Sequence, residues 1–140
     1  MATASLRDPV FHAADLVGRV GLIVLDFTAG VGKVVGYAGT AAYMTARRVP
    51  GILLPLVILT ELAGSVLIVL GWHTRLVAFL LAGFTLLTLI FFHFPFHGDS
   101  GRIIFFAELA AAGGFLVLVG HGAGGWRLDA RRVNRRQAVA

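Results

Sequence analysis

Four long apolar stretches constrain the fold more than any other feature of this sequence. They run over residues 16–37, 52–71, 76–94 and 102–120, and each is close to the roughly 20 residues that a helix needs to cross a bilayer. Hydrophobic residues make up 58% of the 140 residues and charged residues 14%. A small soluble domain cannot bury so much apolar surface. The sequence therefore predicts an all-α integral membrane protein, an antiparallel four-helix transmembrane bundle with the lipid bilayer as its partner and a single domain over residues 1–140.

The segments between the stretches are short and contain residues that end a helix. Segment 38–51 is too polar to cross the membrane, but its amphipathic character predicts a short helix on the membrane surface. We expect Pro50 in the first turn of the second span, where a missing N–H costs little. Residues 72–75 should form a tight turn, and Pro95 should end the third span.

The distribution of Lys and Arg predicts how the chain is oriented. Four spans place both termini on one side, and that side would carry eight of the basic residues against four on the other. The bias predicts both termini in the cytoplasm of a bacterial cell, with the chain in the inner membrane. Five of the eight are arginines in the basic tail, residues 126–140. Beside a hydrophobic span such a run indicates a cytoplasmic flank, so no nucleic-acid partner is predicted.

Several ionisable residues fall inside the predicted spans. Arg19, Asp26 and Lys33 recur every seven residues, which places them on one stripe of the first helix. Their charges also argue against a cleaved signal sequence. Glu61 lies near the centre of the second span and Glu108 within the fourth. Because a charge at the bilayer centre costs at least ~2.5–3.5 kcal/mol, the stripe and both glutamates should face the bundle interior.

These residues predict a polar interior in which three carboxylates face two basic side chains and a histidine. The candidate site residues are Asp26, Lys33, Glu61, His93 and Glu108, with Arg19 facing the same interior. One interpretation is a cavity that opens outward and binds a small ligand or relays protons. The other is that the charges pair with one another and fix helix register, with Glu61 or Glu108 protonated. Both interpretations remain open at this stage.

The sequence offers little for metal, haem or thiol chemistry. The absence of cysteine excludes a disulfide, a thiol redox centre and iron–sulfur ligation by thiolates. His93 and His97 are four residues apart, but Pro95 separates them and we expect His97 beyond the helix end. His93 and His121 should lie at opposite faces of the membrane, which does not suit a pair of haem ligands. We predict no metal site and no intrinsic cofactor, and we recognise no self-contained catalytic site.

Short motifs occur in order along the chain. They are Phe27-Thr-Ala-Gly-Val-Gly-Lys33 in the first span, Val49-Pro50-Gly51 before the second, Leu70-Gly-Trp-His-Thr-Arg75 after it, Phe92-His93 at the end of the third, and Gly122-Ala-Gly-Gly-Trp-Arg-Leu-Asp129 after the fourth. This ordered set resembles the DoxX family of small bacterial four-helix membrane proteins. Ala107-Glu108 departs from the Lys-Asn that the fourth helix of that family often carries.

The resemblance implies a redox setting, because the family takes its name from a subunit of a thiosulfate:quinone oxidoreductase. It implies an auxiliary membrane subunit that contacts a quinone near Glu61 and Lys33, with a soluble or membrane oxidoreductase subunit as partner. A second hypothesis is a small proton-coupled transporter or a lipid-binding protein whose buried carboxylates titrate. A third is a structural membrane anchor. The sequence does not identify the ligand, the partner or a homo-oligomer.

Overall fold

The computed structural model describes residues 7–95 and 98–126, and all the regular structure in these residues is helical. The elements are α1 (Arg7–Val35), α2 (Tyr37–Ala46), a 3₁₀ turn (Gly51–Leu53), α3 (Leu54–Leu70), α4 (Thr74–Phe92) and α5 (Gly98–His121). The predicted fold class, an all-α integral membrane bundle, is confirmed. The expectations for His97 and for the tail beyond Trp126 lie outside the described residues.

Four helices are available to cross the bilayer. α4, α5, and α3 together with its 3₁₀ turn are each long and apolar enough to do so. α1 and α2 meet at 102° across the single residue Gly36. Taken together, this bent pair is also long and apolar enough to cross the bilayer. α1 has 29 residues and is about 43 Å long at 1.5 Å per residue, which exceeds the ~30 Å hydrocarbon core. We therefore treat α1 as the first span and α2 as a short helix across its end.

The helix ends differ from the predicted limits in ways that have local causes. α1 begins at Arg7 rather than at residue 16, so its first turns carry polar residues that hydropathy excluded. The prediction for Pro50 is wrong: the 3₁₀ turn comes first, and Pro55 lies in the first turn of α3. α4 ends at Phe92, short of the predicted residue 94, because the residue before Pro95 is disfavoured in a helical conformation.

The bundle is closed in a ring in which α1 packs on α3, α3 on α4, α4 on α5 and α5 on α1. Its buried apolar core is formed by Ile23, Ile68, Val77, Ala78, Leu81, Ala82, Ala111 and Phe115. Most of these residues lie where α3 ends, α4 begins and α5 ends, and we call this part of the bundle the closed half. A Cβ added to Gly114 would lie 2.7 Å from Cδ2 of Leu22. The crossing of α1 and α5 therefore depends on a residue without a side chain.

Arg19 is held in the closed half and not among the carboxylates, so its predicted place in the polar interior is wrong. Its side chain is only 1% exposed. Nη1 donates to the carbonyl oxygens of Ile68 at 3.0 Å and Val69 at 2.9 Å, and Nη2 donates to that of Trp126 at 2.7 Å. The last carbonyls of a helix lack intrahelical partners and carry partial negative charge, which is why the end of α3 binds this cation.

Candidate functional site

A cavity of about 470 Å³ occupies the other part of the bundle, where α1 ends and α3 begins. We call this part the cavity half. All five candidate residues line the cavity, namely Asp26, Lys33, Glu61, His93 and Glu108. The volume lies within the roughly 300–1,000 Å³ that small-molecule sites occupy. The structure thus brings the five side chains to one space.

Lys33 and Glu61 join α1 to α3 at this cavity. Lys33 donates from Nζ to both carboxylate oxygens of Glu61, Oε1 at 2.6 Å and Oε2 at 2.8 Å. The Glu61 side chain is 5% exposed and that of Lys33 is 24% exposed. A buried carboxylate with a paired ammonium avoids the cost of an isolated charge in a low-dielectric interior. The pair therefore fixes two helices and presents a polar surface to the cavity.

His93 and Glu108 form a second pair, between the end of α4 and α5. Nδ1 of His93 lies 2.9 Å from Oε2 of Glu108, and both side chains are partly buried. The contact is an ion pair when His93 is protonated and a hydrogen bond when it is neutral. The sequence placed His93 among the three carboxylates, but it did not indicate which of them His93 would contact.

Asp26 differs from the other two carboxylates because it forms no ion pair with any described residue. The residue is 7% exposed, and its Oδ2 is buried without a hydrogen bond to any part of the described chain. Burial of an unpaired polar atom is costly, and in a folded protein such an atom calls for a structural or functional explanation. Asp26 also lines the cavity, so its position gives it access to whatever enters there.

Helix α2 covers the cavity beyond the end of α1, and the sequence did not predict that cover. Tyr43 donates from its hydroxyl to the carbonyl oxygen of Phe92 at 3.3 Å, and the two rings lie 5.8 Å apart between centroids. The Arg47 guanidinium carbon lies 5.5 Å from the centroid of the Tyr43 ring. Met44 is 3% exposed, although α2 lies outside the bundle. The amphipathic pattern of segment 38–51 predicted a surface helix, but it did not predict the contact of that helix with Phe92.

The edge of the cavity between α1 and α5 is apolar. Leu25 of α1 and Ile104 of α5 line the cavity and are also exposed on the surface of the bundle. The two helices make their close approach at Leu22 and Gly114, nearer the closed half. A lipid-soluble molecule would meet the cavity at this edge, with an apolar approach and polar groups beyond it.

The described residues contain no cluster of three or more His, Asp or Glu side chains arranged to hold a metal ion. The lining instead offers hydrogen-bond donors, carboxylate acceptors and aromatic rings in one space. Such a set can bind a polar head group and exchange protons with it.

Comparison with known proteins identifies relatives over most of the chain. The model of the DoxX family matches residues 14–94, which include four of the five candidate residues and exclude Glu108. Inner membrane protein YqjF of Escherichia coli (strain K12) is 46% identical over 121 residues, which are 86% of this chain and 92% of that protein. Inner membrane protein YphA of the same organism is 32% identical over 123 residues, 83% of this chain and 88% of that protein. No solved structure gives a significant match.

Proposed function

The chain belongs to the DoxX family, and from that premise we propose that it binds a quinone in its carboxylate-lined cavity, as an auxiliary subunit of a membrane redox or oxidative-stress system. The observation that carries the proposal is the cavity of about 470 Å³, which combines an apolar edge with polar groups from five helices. This combination suits a molecule that is dissolved in the bilayer and has one polar end.

The lining contains groups that match a quinone head. A quinone presents two carbonyl acceptors on a flat ring, and the donors available to it are the third N–H of Lys33 and the second ring nitrogen of His93. Phe84 and Phe92 also line the cavity, and aromatic rings can pack against the quinone ring. The apolar tail would leave by the edge between α1 and α5.

In this proposal the chain holds the quinone and a partner supplies the electrons. A chain without cysteine has no thiol centre of its own. A soluble or membrane oxidoreductase would therefore dock on the bundle and exchange electrons with the bound quinone. Copurification of such a protein with the chain, by affinity purification from mildly solubilised membranes, would identify it.

The proposal is tested by the quinone content of the purified protein. We expect extracted quinone at up to one molecule per chain in the wild type, and at least about tenfold less in Glu61→Gln, because the neutral amide holds the Lys33 ammonium less firmly. A wild-type preparation that contains no quinone and takes up none when it is added would overturn the proposal.

Asp99→Asn is the matched control for this measurement. The Asp99 side chain is 87% exposed and pairs with Arg102 at 2.6 Å, and neither residue lines the cavity. The substitution removes one carboxylate, as Glu61→Gln does, but leaves the cavity intact. We expect wild-type quinone content. An equal loss in both variants would attribute the effect to general charge and not to the cavity.

Proton-coupled transport is a second candidate, favoured by the origin of the three carboxylates. Asp26, Glu61 and Glu108 come from α1, α3 and α5 and face one space within the bundle. Groups that share protons across helices are typical of intramembrane transport pathways. Substrate flux driven by a proton gradient in proteoliposomes, and abolished in Glu61→Gln, would favour this function over the first.

We also propose that the chain lies in the inner membrane with both termini in the cytoplasm. The positive-inside bias, eight basic residues against four, supports the orientation, and two relatives that are inner membrane proteins support the location. Because the chain has no cysteine, a single Ser100→Cys substitution reports orientation directly. An impermeant maleimide should label it from outside intact spheroplasts. Labelling only after the cells are opened would reverse the proposed orientation.

A further inference from the structure

The cavity lining carries more acidic than basic side chains. The carboxyl groups of Asp26, Glu61 and Glu108 face it, while Lys33 is the one lysine or arginine that lines it in the described chain. His93 adds a second positive charge only when it is protonated. Arg19 adds no positive charge to the lining, because its guanidinium is bound to carbonyls in the closed half. Three acidic groups therefore face at most two basic ones.

The acidic side chain in excess is that of Asp26. Lys33 pairs with Glu61 and His93 pairs with Glu108, which leaves Asp26 without a salt bridge to any described residue. Asp26 is 93% buried, since it is 7% exposed, and its Oδ2 has no partner in the described chain. Charges attract one another strongly in a low-dielectric interior. A cation that entered the cavity would be attracted to this carboxylate.

Aromatic rings stand in the same lining. Tyr43, Phe84 and Phe92 face the cavity from α2 and α4. The face of an aromatic ring attracts a cation, and the attraction is stronger when both are removed from water. An unpaired carboxylate with several aromatic faces is a combination suited to an organic cation, whereas an anion of the same size would be repelled.

From these observations we infer that the cavity binds lipophilic organic cations, such as an ammonium or phosphonium group on an apolar body, and that Asp26 binds the charge. The apolar edge between Leu25 and Ile104 admits the body of the ligand from the bilayer. This inference goes beyond the proposed function, because it rests on the charge balance of the lining and does not require a quinone.

Two ions of nearly equal size and opposite charge provide the test. Binding of tetraphenylphosphonium and of tetraphenylborate would be measured by equilibrium dialysis in a nonionic detergent, with protein-free micelles as the blank. We expect the cation to bind at least about a hundredfold more tightly than the anion. Asp26→Asn, which keeps the shape of the side chain, should weaken cation binding at least about tenfold. Equal affinity for the two ions, or unchanged cation binding in Asp26→Asn, would overturn the inference.

Two further variants keep the test decisive. Asp99→Asn removes an exposed carboxylate outside the cavity and should leave both affinities at the wild-type value. Phe84→Leu removes an aromatic face and no charge, so it should weaken cation binding several-fold and leave anion binding unchanged. If Asp26→Asn does not give a monodisperse, folded protein, Phe84→Leu decides the matter: cation binding equal to that of the wild type then counts against the inference.

The outcome is separable from that of the quinone experiment. Cation binding that depends on Asp26, in a protein that takes up no quinone, would support this inference and refute the proposed function. Quinone uptake without any preference for the cation would do the reverse.

Discussion

The two halves of the bundle treat buried charge differently. In the closed half, Arg19 is 1% exposed and is bound by carbonyl oxygens from the end of α3 and from Trp126. In the cavity half, Lys33 pairs with Glu61 and His93 with Glu108, and Oδ2 of Asp26 has no hydrogen-bond partner among the described residues, beside about 470 Å³ of space. Arg19 and Asp26 are seven residues apart on one stripe of α1, so the same helix face serves both halves.

The comparison separates charges that hold the fold from charges that can act on a ligand. A buried group whose hydrogen bonds are satisfied by a packed backbone fixes the structure and has no free donor or acceptor for a ligand. A buried group with a free acceptor beside open space is available for binding. Substitutions in the closed half should therefore change stability most, and those in the cavity half should change ligand binding most.

Replacement of Arg19 should have the largest effect on stability. Arg19→Met removes the charged donor that the carbonyls of Ile68, Val69 and Trp126 share, and a hydrogen bond to a charged group contributes about 1.5–3 kcal/mol. We expect the free energy of unfolding to fall by about 3 kcal/mol or more, measured by denaturation with sodium dodecyl sulfate in mixed micelles. Arg75→Met removes an exposed arginine at the start of α4 and should change it by less than about 0.5 kcal/mol.

Arg19→Lys sharpens the same experiment. An ammonium is a compact charge on a flexible stem, whereas the planar guanidinium donates in several fixed directions. Lysine should therefore recover only part of the stability, because its ammonium cannot donate to the carbonyl oxygens of α3 and to that of Trp126 at the same time. A fully stable Arg19→Met variant would remove the contrast between the halves.

The ion pair between Lys33 and Glu61 should have the next largest effect, and a double-mutant cycle measures it. Lys33→Met leaves the Glu61 carboxylate uncompensated, and we expect a loss of about 2 kcal/mol, reduced from the cost of a fully buried pair because Lys33 is partly exposed. Lys33→Met with Glu61→Leu should lose less than the sum of the single changes, by about 1–2 kcal/mol. Additive losses would show that the contact contributes nothing as a pair.

The sequence predicted the stripe of α1 because a seven-residue spacing is a local property of a helix. It also placed Glu61 near the centre of the second span and Glu108 within the fourth, and these residues lie in α3 and α5. It failed for Arg19, because the carbonyls that bind it belong to residues 68, 69 and 126, and backbone acceptors have no side-chain signature. The direction in which each helix presents its face depends on its neighbours, and one sequence does not specify that.

The contacts that α2 makes over the cavity also depend on neighbouring helices. Amphipathicity predicted a surface helix, and α2 lies at 102° to α1. The contact of Tyr43 with Phe92 depends on where α4 ends, which hydropathy placed two residues too late. The start of α1 was missed for a related reason, because a helix that continues into water loses its apolar pattern while keeping its backbone geometry.

The crossing of α1 and α5 offers a smaller test, with a matched pair of glycines. A Cβ on Gly114 would lie 2.7 Å from Leu22 Cδ2, whereas one on Gly113 would meet nothing within 4 Å. Gly114→Ala should destabilise by about 1 kcal/mol, limited by how far the leucine can shift. Gly113→Ala should stabilise by about 0.5 kcal/mol, because it gains helix propensity without a clash. Equal effects on the unfolding free energy would mean that the crossing tolerates a wider separation.

Removal of the Tyr43 hydroxyl should have the smallest effect and should be confined to the cover of the cavity. Tyr43→Phe loses the 3.3 Å hydrogen bond to the Phe92 carbonyl but keeps the ring against Phe92 and Arg47. The bond is long and exposed, so the free energy of unfolding should change by less than about 0.5 kcal/mol. Hydrogen exchange of the α2 amides should nevertheless accelerate about twofold while α3 to α5 stay unchanged, because α2 can open without the bundle. Tyr37→Phe makes the same change at an exposed position on α2, and equal exchange rates in the two variants would mean that the Tyr43 hydroxyl does not hold α2 over the cavity.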